Sequence, residues 1–321
     1  ISMLQGAQGN QKEELAALVS WLRNHSHIDC IHLSNALLSG LAPQLKAELA
    51  VPIVCSLQDE HEWVDPMSRE SAARVWELMS RNSAHIDRFV AASAHYRDTM
   101  VRRMKLDADT VDVVYPGTPL RGDGVPMPHT PPNVGYLSRM SYAMGVDILV
   151  EAFIRLKKNA PGAVGKLLLN GGSTGDDTTL LKRVRSRIAH SGLDGDVEFV
   201  DALSVNARTG FLENIDLLVV PAREYIAFPL FLLEANALGV PVMMPYRESY
   251  TEMQELTGGL IMYDPNTQAG LGERIREALA DRTKLSAMGR QSRESVREKG
   301  TAESYAHNLT EVYRNVIGNC G

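Results

Sequence analysis

Cysteine is nearly absent. Cys30, Cys55 and Cys320 are the only three in the chain, an odd and sparse set that excludes a disulfide-stapled secreted scaffold and fits a reducing compartment, read here as the cytoplasm. Positive charge is not in excess either: 33 Lys and Arg stand against 39 Asp and Glu, a net charge of −6. That balance argues against a protein that coats nucleic acid by releasing counterions, so no nucleic-acid partner is expected. Long apolar runs are missing as well. The most membrane-like stretch, 226–245, carries Glu234 and Asn236 and is broken by Pro229, Gly239 and Pro241, so no transmembrane segment is expected. Arg102, Arg103 and Lys105 read as a solvated helix end, with peripheral contact to an anionic membrane left open. The first residues show no basic start followed by an apolar core, so no signal peptide is read.

Two further absences narrow the chemistry. No Gly-x-Gly-x-x-Gly follows an early strand, which disfavours a dinucleotide dehydrogenase. His25, His27, Cys30 and His32 lie close in sequence, but alternate strand residues point to opposite faces, so no metal site is expected there.

What is present is a core. With 321 residues, 44% of them hydrophobic, the chain is long enough for two domains. Short apolar runs at 30–33, 51–57, 89–92 and 111–115 alternate with amphipathic stretches at 36–50, 70–84 and 95–105, the pattern of a parallel sheet with helices on both faces. Residues 116–132 hold six of the 15 prolines and read as a linker. The alternation then restarts, with strands at 134–137, 166–170, 197–200, 216–221, 241–244 and 260–263, and ends in three helices over 268–280, 284–298 and 302–316. The expected domains are 1–115, 133–300, and a final helix in 301–321 whose stripe of Tyr305, Leu309 and Val312 packs back on the first. The fold class is α/β: two Rossmann-like, doubly wound domains facing a cleft, where ligands of open α/β sheets bind.

The clearest chemical signal lies in 221–242, Pro-Ala-Arg-Glu-Tyr-Ile-Ala-Phe-Pro-Leu-Phe-Leu-Leu-Glu-Ala-Asn-Ala-Leu-Gly-Val-Pro-Val. A strand ends at proline, a loop follows, and an apolar helix with one carboxylate leads to the next strand. Glu234 loses solvation on such a helix unless it receives hydrogen bonds, and a ribose diol supplies two; a neighbouring backbone group or arginine is the structural alternative. Pro229 suits the first helical position, which leaves the amides of Leu230 and Phe231 at the positive end of the helix dipole, an arrangement that holds phosphate. Gly171 and Gly172, after a strand, are a weaker phosphate candidate.

This stretch resembles the signature of family 4 (group 1) retaining glycosyltransferases of GT-B fold. The resemblance extends to Val134-Gly-Tyr-Leu-Ser-Arg139 with Gly145-Val-Asp, to Gly171-Gly172, to Val114-Tyr-Pro-Gly, and to Thr257-Gly-Gly ahead of Asp264-Pro. It implies transfer of a sugar from a nucleotide-diphosphate donor to a glycan, lipid or small-molecule acceptor, with no cofactor and no metal. It also implies that Glu234 binds the ribose and that the amides after Phe228 and Pro229 meet the diphosphate. Four positions depart from the family pattern. Ile226 stands where a sugar-binding glutamate is usual, Met144 replaces a lysine, Tyr136 replaces an arginine, and Gln58 replaces a histidine, although His61 follows. Arg139 is then the cation expected to neutralise the leaving group, with Gln58 and His61 on the acceptor side. The helix-first start makes the N-terminal domain read as truncated. The alternatives are a catalytically weakened homologue that binds a nucleotide or glycan, and an epimerase of the same fold.

Overall fold

The computed structural model describes residues 1–24, 27–120, 125, 127–201 and 204–318. By spatial clustering they form two compact units: Ile1–Pro116 with Ile226–Phe228 and Glu303–Gly321, and Gly117–Tyr225 with Pro229–Ala302. His25 and Cys320 lie outside the described residues.

The first unit runs α1 (Lys12–Asn24), β1 (Ile31–Leu33), α2 (Ala42–Leu49), β2 (Ile53–Leu57), α3 (Glu60–Val64), α4 (Arg69–Asn82), β3 (Arg88–Ala91), α5 (Ala94–Met104) and β4 (Val111–Val113). The strands form one parallel sheet in the order β1-β2-β3-β4. The helix expected over 36–50 is divided into a 3-10 stretch, Ala36–Leu41, and α2. Pro43 enters at the first turn of α2, where its missing N–H is harmless, and Gly40 abuts the backbone of Met3 and Leu4. Arg103 pairs with Asp65 and stacks over Trp76, so that helix end is tied into the fold.

The second unit continues β5 (Val134–Leu137), α6 (Val146–Asn159), β6 (Leu167–Asn170), α7 (Thr178–Ser191), β7 (Val197–Val200), α8 (Val205–Glu213), β8 (Leu217–Val219), α9 (Leu230–Ala237), β9 (Val242–Pro245), α10 (Thr251–Thr257), β10 (Leu260–Tyr263), α11 (Gln268–Ala280) and α12 (Arg282–Lys299). Its six strands are all parallel, in the order β10-β9-β8-β5-β6-β7. The central strands β5, β6, β8 and β9 are buried along their whole length, as sheets covered on both faces require. Proline-rich residues after Gly117 group with this unit. His129 and Asn133 bond to the buried carboxylate of Asp216, and Arg282 donates to the His129 carbonyl at 2.7 Å.

The last helix, α13 (Ala302–Gly318), belongs to the first unit. Val312 and Val316 join Val54, Val90 and Val114 in one cluster, with Tyr305 and Leu309 packed against it. His32 on β1 lies 2.5 Å from the Tyr313 hydroxyl and 2.9 Å from that of Ser56. Among the described residues no helix is long and apolar enough to cross a membrane, and no group of His, Cys, Asp and Glu could hold a metal ion.

Candidate active site

The carboxyl ends of β5, β6 and β8 in the second unit bring together three loops singled out by the motifs. The loop after β5 is held from within. Tyr136 is fully buried and donates from its hydroxyl to the carbonyl of Arg139 at 2.7 Å; burial is the main reason its phenol is pushed far above its usual range. It shapes the loop and presents no surface of its own. Arg139 donates to Asp177 at 3.1 Å and to the Thr174 hydroxyl at 2.8 Å, so the expected leaving-group cation is engaged, with half of its side chain still exposed. Burial alone would raise Asp177, but the Thr174 backbone amide and Arg139 outweigh it and hold the carboxyl below its ordinary range.

Gly171 and Gly172 link the loops after β5 and β6. The Ser138 amide donates to Asn170, and that of Met140 to Gly172. A Cβ on Gly171 would fall on the Ser138 carbonyl, whereas one on Gly172 meets nothing within 4 Å. Gly171 is therefore explained by close backbone approach, while Gly172 has room in front of it. Gly145 opens α6 with φ +73, and a Cβ there would strike the Pro221 carbonyl. Met144, one residue earlier, is half-buried.

Two cations that sequence reading passed over lie here, Arg223 on the loop after β8 and Arg247 on the segment after β9. Arg223 makes a bidentate pair with Asp147 at 2.7 and 2.8 Å and lies 3.7 Å over the Tyr142 ring. Arg247 donates to the Arg223 carbonyl, and its Nε is buried without a hydrogen-bond partner. The available signal was Arg223 inside the 221–242 motif itself. Nothing in the sequence linked it to Asp147, 76 residues away.

Pro229 is the cap of α9 rather than its first helical residue, with φ −77 and ψ 87, and Leu230 opens the helix. A ψ of 87 is not helical, so Pro229 stays outside the helix. The Leu232 amide bonds back to Pro229, leaving the amides of Leu230 and Phe231 in the first turn without intrahelical partners. One turn on, Glu234 accepts from Arg208 on α8 at 2.7 Å, beside a cavity of 140 Å³ lined by Thr118, Pro119, Arg208 and Glu234. The Arg208 Nε is buried without a partner. The arginine alternative for Glu234 is thus realised.

Ile226 and Phe228 cluster with the first unit. Both are buried, Ile226 at 9% exposure, and Phe228 sits 6.4 Å from the Tyr115 ring. Between them the Ala227 amide donates to Asp59 at 2.7 Å, and its carbonyl accepts from Ser93 at 2.9 Å. Asp59 precedes Glu60, which is fully buried and accepts from the amides of Ala36 and Gln58 and from the Tyr96 hydroxyl. Burial raises both carboxyls. Gln58 donates to the Ser34 carbonyl at 2.7 Å, and His61 stands 3.4 Å from the Tyr96 hydroxyl.

Two parallel-sheet Rossmann-like units, one with a strand-loop-helix element carrying a carboxylate one turn into the helix, define the GT-B class of glycosyltransferase folds. The structure of Anabaena Alr3699/HepE in complex with UDP matches with a TM-score of 0.78 at 15% identity, over 97% of this chain and 84% of that one. Sucrose-phosphate synthase from Thermosynechococcus elongatus matches at 0.76 and 21% identity, over 97% and 80%. The chain belongs to the glycosyl transferases group 1 family, whose profile matches residues 124–295, while residues 7–117 match the glycosyl transferase 4-like domain. A D-inositol 3-phosphate glycosyltransferase from Nocardia farcinica is 26% identical over 86% of this chain. The chain spans 59% of the length of that relative and 54% of a second one, from Corynebacterium kroppenstedtii.

Proposed function

We propose that the protein transfers a glycosyl group from a nucleoside-diphosphate sugar to a hydroxyl acceptor with retention of configuration. The observation that carries this reading is the α9 element inside the matched family region: first-turn amides of Leu230 and Phe231 at a positive helix end, with Glu234 one turn further on. In this reading the amides receive the diphosphate, Glu234 receives the ribose diol, and Arg139 faces the departing charge through its exposed half. Preorganised donors of this kind lower the barrier because they meet charge that grows in the transition state. Gln58 and His61 belong to the acceptor side, and Gly172 and Met144 to the donor pocket. The neighbour solved with UDP supports a uridine nucleotide as the first donor to try. The acceptor class is a glycan, lipid or small-molecule alcohol, and the free thiols Cys30 and Cys55 support a reducing, cytoplasmic setting.

Calorimetry with UDP, GDP and ADP, followed by donor consumption assays with the matching glucose nucleotides, tests the reading. Binding of one diphosphate with loss on Glu234→Ala is expected. Absence of binding by all three overturns it.

A second reading is favoured by the Arg208–Glu234 pair together with Met144 and Ile226: a homologue that binds nucleotide or glycan but transfers sugar slowly. Tight diphosphate binding without donor consumption selects it.

A further inference from the structure

Three arginines of the candidate site are already neutralised. Arg139 pairs with Asp177, Arg208 with Glu234 and Arg223 with Asp147. Each pair brings N–H donors to the site and no net charge. Arg247 differs. Among the described residues it forms no ion pair, and its one hydrogen bond runs from Nη2 to the Arg223 carbonyl. Its Nε is buried without an acceptor, whereas Nη1 has no partner among the described residues and is not buried.

The sheet fixes where this cation stands. β8 ends at Val219 and its neighbour β9 at Pro245, so Arg223 and Arg247 leave the carboxyl ends of adjacent parallel strands. α9 follows β8 and starts at Leu230. Its first-turn amides therefore open at the same end of the sheet, where ligands of open α/β folds bind. The loop after β8 has other supports: the Arg223 amide donates to the Ala143 carbonyl at 2.7 Å, and the Asn266 amide to the carbonyls of Pro221 and Ala222, each at 3.3 Å. Bracing that loop does not call for a guanidinium. Half-burying an unpaired charge is costly, and a buried donor without an acceptor is uncommon in native structures. Glu224 and Glu248, next to the two arginines in sequence, are exposed, so water and salt screen them.

We infer that Arg247 is the cation that receives the departing diphosphate, an assignment that rests on the proposed glycosyl transfer. In that transfer the bond from the anomeric carbon to the phosphate oxygen breaks, and a bond from the same carbon to the acceptor oxygen forms. The electron pair stays on the diphosphate, which gains one negative charge, and the acceptor proton is released. A guanidinium paired with a carboxylate has its charge cancelled before the new charge arrives. Arg247 keeps its charge, held in place by the Arg223 carbonyl with Nη1 left for a phosphate oxygen. The segment after β9 thus supplies the net positive charge that Met144 cannot.

Calorimetry with UDP, GDP and ADP, beside uridine, guanosine and adenosine, tests this on the parent protein and on Arg247→Ala, Arg247→Gln and Arg247→Lys. For the diphosphate that the parent binds, Arg247→Ala should weaken affinity at least tenfold and leave the matching nucleoside within about threefold. Arg247→Lys, which keeps the charge, should restore most of the loss. Arg247→Gln, which keeps a donor for the Arg223 carbonyl without the charge, should not, and this order keeps the inference falsifiable if the alanine variant fails to fold. A purely structural brace gives the glutamine variant affinity equal to or above that of the lysine variant, or equal losses for nucleoside and diphosphate. Either result overturns the inference, as does unchanged diphosphate affinity in Arg247→Ala, while the nucleotide-sugar reading stands. Absence of binding by all three diphosphates to the parent protein overturns that reading and the inference with it.

Discussion

Arg208 and Glu234 are joined by a 2.7 Å ion pair, with only 33% and 20% of their side chains exposed. In the proposed site the ribose diol must share this carboxylate with Arg208 or displace the guanidinium. Hydrogen bonds to charged groups contribute ~1.5–3 kcal/mol net, so Glu234→Ala should weaken nucleoside-diphosphate binding roughly tenfold to a hundredfold. Arg208→Ala should leave binding within a few-fold and lower thermal stability. Calorimetry on both variants and on the double variant measures the coupling; unchanged affinity in folded Glu234→Ala removes Glu234 from the site.

The two back-substitutions toward the family pattern should behave differently. Met144 is half-buried on the loop after β5, so Met144→Lys is expected to be tolerated and to raise donor turnover. One preorganised charge-stabilising donor is worth ~10²–10³ in rate. Ile226 is 9% exposed, and Ile226→Glu would bury a carboxylate at a cost above ~2 kcal/mol. A lower melting temperature for Ile226→Glu beside a faster Met144→Lys is the expected pair. Equal turnover in Met144→Lys and the parent protein counts against the leaving-group role of that position.

Asp59 sets a pH dependence. Burial raises its carboxyl, against the hydrogen bond from Ala227 and the field of His61. The folded state then holds the proton more tightly than the unfolded chain. Stability falls as pH rises from the ordinary value of 3.8 through the folded one, and the deficit persists above both. Asp59→Asn keeps an acceptor for Ala227 and suits φ +56, so it should raise the melting temperature at pH 7 and leave it unchanged near pH 3. A melting temperature that is equal or lower at pH 7 would show that the charge is fully compensated.

Gly145 has no room for a side chain. Its φ of +73 and the approach of the Pro221 carbonyl predict that Gly145→Ala costs ~1–3 kcal/mol, seen as a lower urea midpoint. Gly172→Ala, which meets nothing within 4 Å, serves as the control and should be neutral to within ~0.5 kcal/mol.

Much of the fold was legible because its signals are local. The buried strands β5, β6 and β9 are largely apolar runs, with Asn170 the polar end of β6, and α6 shows Val146, Leu149, Val150 and Phe153 on one face. The division of the 36–50 helix was less visible, because it depends on Gly40 meeting Met3 and Leu4 across a tertiary contact. The site was legible as motifs and not as partnerships. Glu234 stood out as a lone carboxylate on an apolar helix, yet its partner Arg208 lies 26 positions earlier, on another helix. Tyr136 occupied a motif position, but only packing shows that its hydroxyl serves the Arg139 carbonyl. Pairing across a fold is decided by chain topology, which no spacing rule encodes.

The cluster of Val54, Val90 and Val114 with Val312 and Val316 has a consequence for biosynthesis. The strands of the first unit are made well before the helix that packs on one side of their sheet. Until then Val54 of β2, Val90 of β3 and Val114 just past β4 lack that cover, and the sheet waits through the synthesis of nearly 200 residues, from Pro116 to Val312. Growing chains are therefore most exposed to chaperone capture and to proteolysis in this interval. A stop codon before residue 302 would make that transient vulnerability permanent.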